Sequence, residues 1–213
     1  MRMSVLPSSL WLAYTITSPK VIEKMLPNGL HLSRFPILDT DIFPEAKLLF
    51  NAYDVSSKWM NGHRLEVVTL AQNRTSNKAH FVILDCITDT LQWDPNDGIT
   101  LPNACKSTPK DFNNDYSLKV RSKIGKKLIV RGNPSTLSKM TWKFAIEGNK
   151  KCFYKNYPVG FEMSFDAKNI LKPVRNLKVD ILENTFWQDV REDLPSHIFT
   201  HEQVMDFDVD VQF

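Results

Sequence analysis

Asn51-Ala-Tyr-Asp-Val-Ser-Ser-Lys-Trp-Met-Asn-Gly-His-Arg-Leu-Glu66-Val-Val-Thr-Leu-Ala71 contains a run that reads as a strand buried on both sides, with an Arg and a Glu placed inside it. Successive side chains of an extended chain point to opposite faces. Arg64, Glu66, Val68 and Leu70 therefore share one face, and Leu65, Val67, Thr69 and Ala71 share the other. Neither face is plainly one that meets solvent. A carboxylate beside Val68 and Leu70 is either a rim residue reaching water or a buried acid with a partner, and Arg64 is the partner two positions away. An ordinary ion pair at a strand end and a functional pair both satisfy this pattern.

Outward from that stretch, short alternating segments dominate. Leu10 to Ile16, Leu30 to Leu38, Ala46 to Val55, Arg64 to Gln72 and Ala79 to Thr88 are rich in β-branched, aromatic and leucine residues, and Pro, Asn, Gly and Asp separate them. Ser117 to Lys123 and Lys127 to Arg131 flank Ile124-Gly125-Lys126. Met140 to Glu147 and Lys151 to Tyr157 flank Gly148-Asn149-Lys150. Each pair predicts a hairpin, with glycine supplying the turn. Asn176 to Asn184 and Asp206 to Phe213 complete the strands, the last alternating Phe207, Val209, Val211 and Phe213 with Asp206, Asp208, Asp210 and Gln212. Helices are few. Ser18-Pro19 opens a two-turn helix that Pro27-Asn28-Gly29 stops, and Pro134 to Lys139 and Pro195 to Gln203 predict two more short ones. Trp93 to Asn114 reads as a packed long loop.

With 213 residues, 42% of them hydrophobic and 24% charged, the chain can bury a substantial core, and no linker or repeat divides it, so residues 1–213 are expected to form one domain. About a dozen strands in one domain predict a mainly β fold: a single antiparallel barrel, closed or nearly so, with an interior able to hold a ligand and short peripheral helices.

The net charge of +3 comes from 27 Lys and Arg against 24 Asp and Glu, interspersed, which gives a nucleic-acid partner no support. The densest basic run, Lys119 to Arg131, falls on the solvated faces of a hairpin. No apolar stretch approaches membrane-spanning length, and no signal core follows Met1, so neither a membrane partner nor secretion is expected. Cys86, Cys105 and Cys152 are too widely spaced for a disulfide framework or a thiolate metal site, which predicts reduced thiols in a cytoplasmic protein. His197 and His201, four apart, would share a helix face, but only Glu202 is at hand to complete a metal set, so no metal or other cofactor is expected. Serine-hydrolase, kinase and dinucleotide motifs are absent. Trp11, Tyr14, Tyr53, Trp59 and Trp93 are aromatic candidates for lining a cavity, or simply for packing a core.

The helix from Pro19 to Leu26, Leu26-Pro-Asn-Gly-Leu30, Phe50-Asn-Ala-Tyr53, Gly62-x-Arg-x-Glu66-Val and Asp97-Gly-Ile-x-Leu-Pro-Asn-Ala-Cys-Lys106 occur in an order that resembles the acetoacetate decarboxylase-like superfamily. The resemblance covers about Ser18 to Lys106. It implies a cone-shaped β-barrel with an internal cavity, in which a lysine forms a Schiff base with a β-keto acid while glutamates and an arginine position the substrate. Carried over by position, it implies Lys106 as the amine nucleophile, Glu66 as acid, base or positioning group, Arg64 as carboxylate anchor and Tyr53 as a substrate contact. Asn103-Ala-Cys-Lys106-Ser replaces the family's Gly-x-Pro-Lys-Lys, so one lysine stands where a pair is usual. Gly125-Lys126-Lys127 imitates the pair at the wrong distance. An amine nucleophile must be neutral, and without a neighbouring lysine Lys106 would need burial or Arg64 to lower its pKa. Two functions follow as expectations. One is a lyase acting on a small keto acid. The other is a non-catalytic barrel binding a small apolar or carboxylate ligand. Both take a small molecule as partner, and a homo-oligomer is compatible with either.

Overall fold

The computed structural model describes residues 2–6, 9–36, 41–58, 61–75, 79–90, 92–94, 98–100, 104–107, 116–122, 127–136, 148–157, 159–165, 171–182, 186–201 and 204–210. In chain order these form β1 (Arg2–Val5), β2 (Leu10–Thr15), α1 (Pro19–Glu23), β3 (Leu30–Leu32), β4 (Arg34–Phe35), β5 (Glu45–Ser56), β6 (Asn61–Asn73), β7 (Ala79–Thr88), β8 (Gln92–Asp94), β9 (Gly98–Thr100) and β10 (Ala104–Ser107). There follow β11 (Tyr116–Ser122), β12 (Lys127–Thr136), β13 (Gly148–Tyr154), β14 (Phe161–Phe165), β15 (Leu171–Leu182), a 3₁₀ turn (Phe186–Val190), β16 (His197–His201) and β17 (Met205–Asp210). Among the described residues no helix is long and apolar enough to cross a membrane.

The chain is mainly β, but the expected closed antiparallel barrel is corrected to an open, mixed arrangement. The large sheet runs β10-β11-β12-β15-β16-β2-β5-β1-β17-β14-β13-β7-β6-β3, with β4 on β5 and a further pairing of β5 with β6. Among the described residues the strand order ends on β10 and β3, β4 forms a further short edge on β5, and β13 runs parallel to β7. Strand number suggested closure because exposed edges invite unwanted pairing. Here the two end strands are only four and three residues long, and very short edges reduce that liability without closure.

Local signals fared unevenly. The Lys127 hairpin forms, with Arg121 opposite Lys127, although residues 123–126 of its turn lie outside the described part. Gly148-Asn149-Lys150 is no turn: these residues lie in β13, paired to β14, and residues 140–147 lie outside the described part. Two expected helices are corrected. Pro134 to Thr136 belongs to β12, beside a register shift, and His197 to His201 is strand β16, whose Phe199 and Thr200 pair with Trp11 and Leu10, while residues 137–139 and 202–203 of the two expected helices lie outside the described part. In both, sheet pairing overrides the local helix-start signal of Pro. The expected loop after Trp93 carries β8, β9 and β10.

The core explains why β6 reads as hydrophobic on both faces. Leu65, Val67 and Ala71 join a large cluster with Leu10, Leu12, Tyr14, Leu48, Phe50 and Leu118. Val68 and Leu70 join a second one with Trp11, Ala13, Leu49, Phe81, Ile83, Tyr154 and Phe199. Burying each such side chain is worth about 1.5–3 kcal/mol, so a slip of one residue would exchange the two faces and bury Arg64 and Glu66 in the wrong layer. Thr69, on the first face, is fully buried and donates its hydroxyl to the Lys47 carbonyl at 2.9 Å, so its own polar atom is satisfied.

Candidate functional site

Sheet register assembles the site. Tyr53 on β5 lies opposite Arg64 on β6, and Arg64 lies opposite Thr88 on β7. One step along, Asn51 lies opposite Glu66 and Glu66 opposite Cys86. Residues directly opposite in a ladder share a face, so these side chains form two transverse rows at one end of the second core cluster. Three of the four residues proposed from sequence, Tyr53, Arg64 and Glu66, are thus brought together.

Arg64 is buried, 9% exposed, and its Nε and Nη2 reach the same Glu66 oxygen at 3.0 Å and 2.9 Å. The Glu66 side chain is 13% exposed, so the pair is not a surface ion pair. Nη2 also lies 3.5 Å from the Cys86 sulfur, and the Tyr53 hydroxyl donates to Glu66. Burial pushes the Tyr53 phenol well above its ordinary pKa; the Glu66 charge pushes the same way and Arg64 opposes both. Burial likewise raises Tyr154, with Arg64 opposing and Glu66 assisting, and raises the Cys86 thiol to about 12 against the pull of Arg64. Burial works against the Arg64 cation, yet Tyr53, Cys86, Glu66 and Tyr154 together hold its pKa above the usual arginine value. At neutral pH the phenols and thiols are protonated, which leaves Glu66 as the counter-charge of Arg64 within this group. It also removes Cys86 and Cys152 as nucleophiles, because the thiolate is the reactive form.

On the other face of the same strands a small recess is lined by Ala52, Leu65, Ile87 and Val120 of the first core cluster together with His63 and Asp89, reaches Tyr53 and Arg64, and has room for about one water molecule. At its rim the His63 backbone N–H donates to Asp89 Oδ1 at 2.7 Å, His63 Nδ1 lies 2.5 Å from Asp89 Oδ2, and Nε2 lies 3.7 Å from Asp54. Burial would raise the Asp89 pKa, but these bonds from His63 outweigh it and the carboxyl sits below its ordinary value. Sequence reading missed this group. The only available signal was His63 beside Arg64 in the opening stretch; Asp89 is 26 residues away and reaches it only through the β6–β7 ladder.

Lys106 lies on β10, its backbone opposite Val120 of β11, and Val120 lines the recess. The Lys106 side chain lies outside the described part, as do Trp59 and the side chain of Trp93. Among the described residues the buried lysine is Lys47, whose ammonium contacts Glu45 at 2.5 Å, Thr15 at 3.0 Å and Ser196 at 3.2 Å. So thoroughly paired an amine is a structural tie and no nucleophile. Tyr14 faces the larger core cluster, beneath the Arg191 guanidinium at 4.3 Å, whereas Trp11 and Tyr53 face the Glu66 side. His197 pairs with Asp41 at 3.2 Å, and because β16 is a strand, residues 197 and 201 lie about 13 Å apart instead of sharing a helix turn. No group of His, Cys, Asp and Glu among the described residues is arranged to hold a metal. On the acidic stripe of β17, Asp206 accepts a 2.6 Å bond from Ser4 and Asp208 is exposed, as on an ordinary wet strand face.

No family model and no curated protein sequence matches the chain. Solved structures do. The fold is similar to acetoacetate decarboxylase from Legionella pneumophila, with a TM-score of 0.55 and 8% identity over 100% of this chain and 88% of that one. It is similar to an acetoacetate decarboxylase-like enzyme from Sphingomonas wittichii, with a TM-score of 0.52 and 7% identity over 98% and 90%. A further acetoacetate decarboxylase structure gives 0.56 and 7% over 100% and 91%. The chain has an acetoacetate decarboxylase-like fold, strongly diverged in sequence.

Proposed function

We propose that this chain binds a small carboxylate or carbonyl compound on the face carrying Tyr53, Arg64 and Glu66. The observation that carries the reading is the buried Arg64–Glu66 pair. Desolvating two charges costs several kcal/mol, and an apolar pair of similar volume would serve stability as well or better, so an ion pair held inside the core is best explained by what it binds. Arg64 supplies a forked donor for a ligand oxygen, and Glu66 and Tyr53 fix its orientation. Titrating the protein with acetate, pyruvate and acetoacetate tests the reading. Saturable binding that weakens at least about tenfold in Glu66→Gln supports it, and no binding of any of the three refutes it.

A second reading, a lyase acting through an imine, draws support from the position of Lys106 across from Val120 and from the fold. In it the neutral amine of Lys106 attacks a keto carbonyl, water leaves, and the imine accepts the electrons released when the carboxylate departs as carbon dioxide. Borohydride reduction in the presence of acetoacetate or pyruvate should trap a secondary amine at Lys106, seen as a mass adduct that Lys106→Met lacks. An unmodified Lys106 peptide would leave the binding reading alone in place.

A further inference from the structure

Two polar atoms on the same face as Glu66 have no hydrogen-bond partner although both side chains are more than nine-tenths buried. They are the indole Nε1 of Trp11, in a residue 4% exposed, and Oδ1 of Asn51, in a residue 8% exposed. Their placement is not independent. Trp11 lies opposite Asn51 in the β2–β5 ladder, and Asn51 lies opposite Glu66 in the β5–β6 ladder, so Trp11, Asn51, Glu66 and Cys86 make one row across four strands. On the same strands Thr69 is answered by the Lys47 carbonyl and Lys47 by three oxygens, while the Tyr14 hydroxyl, also without a partner, lies on the opposite face in the first core cluster. A buried N–H or C=O left unmet loses its hydration with nothing in return, so two in adjacent register positions form a concentrated cost.

We infer that Trp11 and Asn51 form a second polar subsite that receives a hydroxyl group on the ligand whose charged or carbonyl end meets Arg64 and Glu66. The indole N–H can only donate and the amide oxygen can only accept. One hydroxyl satisfies both at once, accepting from Trp11 and donating to Asn51, whereas a methyl group satisfies neither. Opposite residues in a ladder have Cβ atoms about 4.5–5.5 Å apart, close enough for one small group to reach both. The ligand class is thereby narrowed from simple carboxylates or carbonyl compounds to their hydroxylated counterparts. This rests on the binding reading given above.

The test compares lactate with propionate, which differ by one hydroxyl. Each is titrated into uniformly ¹⁵N-labelled full-length protein while the indole N–H signals are followed, the Trp11 signal being identified by its loss in Trp11→Phe. The expected result is lactate binding at least about tenfold tighter than propionate, because propionate leaves both buried groups unmet. The Trp11 indole proton should shift downfield with lactate and not with propionate. Trp11→Phe and Asn51→Leu should each narrow the preference to within about threefold while retaining propionate binding. Equal affinity of wild-type protein for the two acids, or a lactate preference that survives in both variants, overturns the subsite and leaves the Arg64–Glu66 reading standing. Failure of both acids to bind removes that reading and the subsite with it. The wild-type comparison and the indole shift decide the question even if a variant does not fold.

Discussion

Replacing Glu66 with Gln preserves shape and removes one charge, so it isolates the electrostatic part of the site. In the wild-type protein the Arg64 guanidinium and the Glu66 carboxylate approach to 2.9 Å, which places their charge centres about 4 Å apart. At an effective dielectric of about 20 the attraction at that distance is about 4 kcal/mol. The Gln carbonyl still accepts a hydrogen bond from Arg64, which returns about 1 kcal/mol. The net loss should be about 3 kcal/mol, within the range for breaking a buried pair. For a chain of this size that lowers the melting temperature by about 6–12 °C. Urea unfolding monitored by tryptophan fluorescence gives the free energy directly. A loss under about 1 kcal/mol would mean that Glu66 behaves as a rim residue and would refute the buried-pair reasoning. The cycle with Arg64→Met sharpens the result: the double variant should be more stable than Glu66→Gln alone, because no uncompensated cation remains. Simple additivity of the two losses would contradict a direct pairing.

Other perturbations probe the fold independently. Tyr14 and Cys86 each have a pKa raised by burial to about 12, so between pH about 9 and 12 the unfolded chain loses these protons before the folded one does; stability is complete below that window and falls through it. Tyr14→Phe should leave stability at pH 7 unchanged or higher, since its buried hydroxyl has no partner, and should flatten the alkaline decline; an equally steep decline in melting temperature from pH 9 to 11 would count against it. Gly132 has φ +143°, and a Cβ there would meet the Asn176 carbonyl oxygen of the paired strand, itself on a residue at φ 64°. Gly132→Ala should therefore cost more than about 2 kcal/mol in urea unfolding, because backbone cannot yield as a side chain can; a cost under about 1 kcal/mol would show that β12 and β15 separate easily. Cys86 and Cys152 are free thiols, so dithiothreitol should not move the melting temperature, and a clear drop would reveal a disulfide.

Strands whose side chains alternate or run continuously apolar are legible from neighbouring residues alone, because period and burial are local properties. Ala79 to Thr88 was legible to the residue as β7, and Arg64 and Glu66 could be placed on one face of a doubly buried strand from spacing alone. Pro19 to Glu23 was legible as a helix from its Pro at the first position, although Ser18 makes no side-chain cap and its hydroxyl reaches the Asp189 carbonyl at 3.4 Å instead. Which strands meet is set by contacts between distant segments. Whether the sheet closes, whether β13 runs parallel to β7, and whether His197 to His201 is strand or helix all depend on partners far away in the chain, whose pairing energy exceeds local propensity. The same holds within the site. Arg64 and Glu66 are two residues apart and could be paired on paper, but Trp11, Asn51, Cys86 and Asp89 come beside them only through ladder register, which no local pattern encodes.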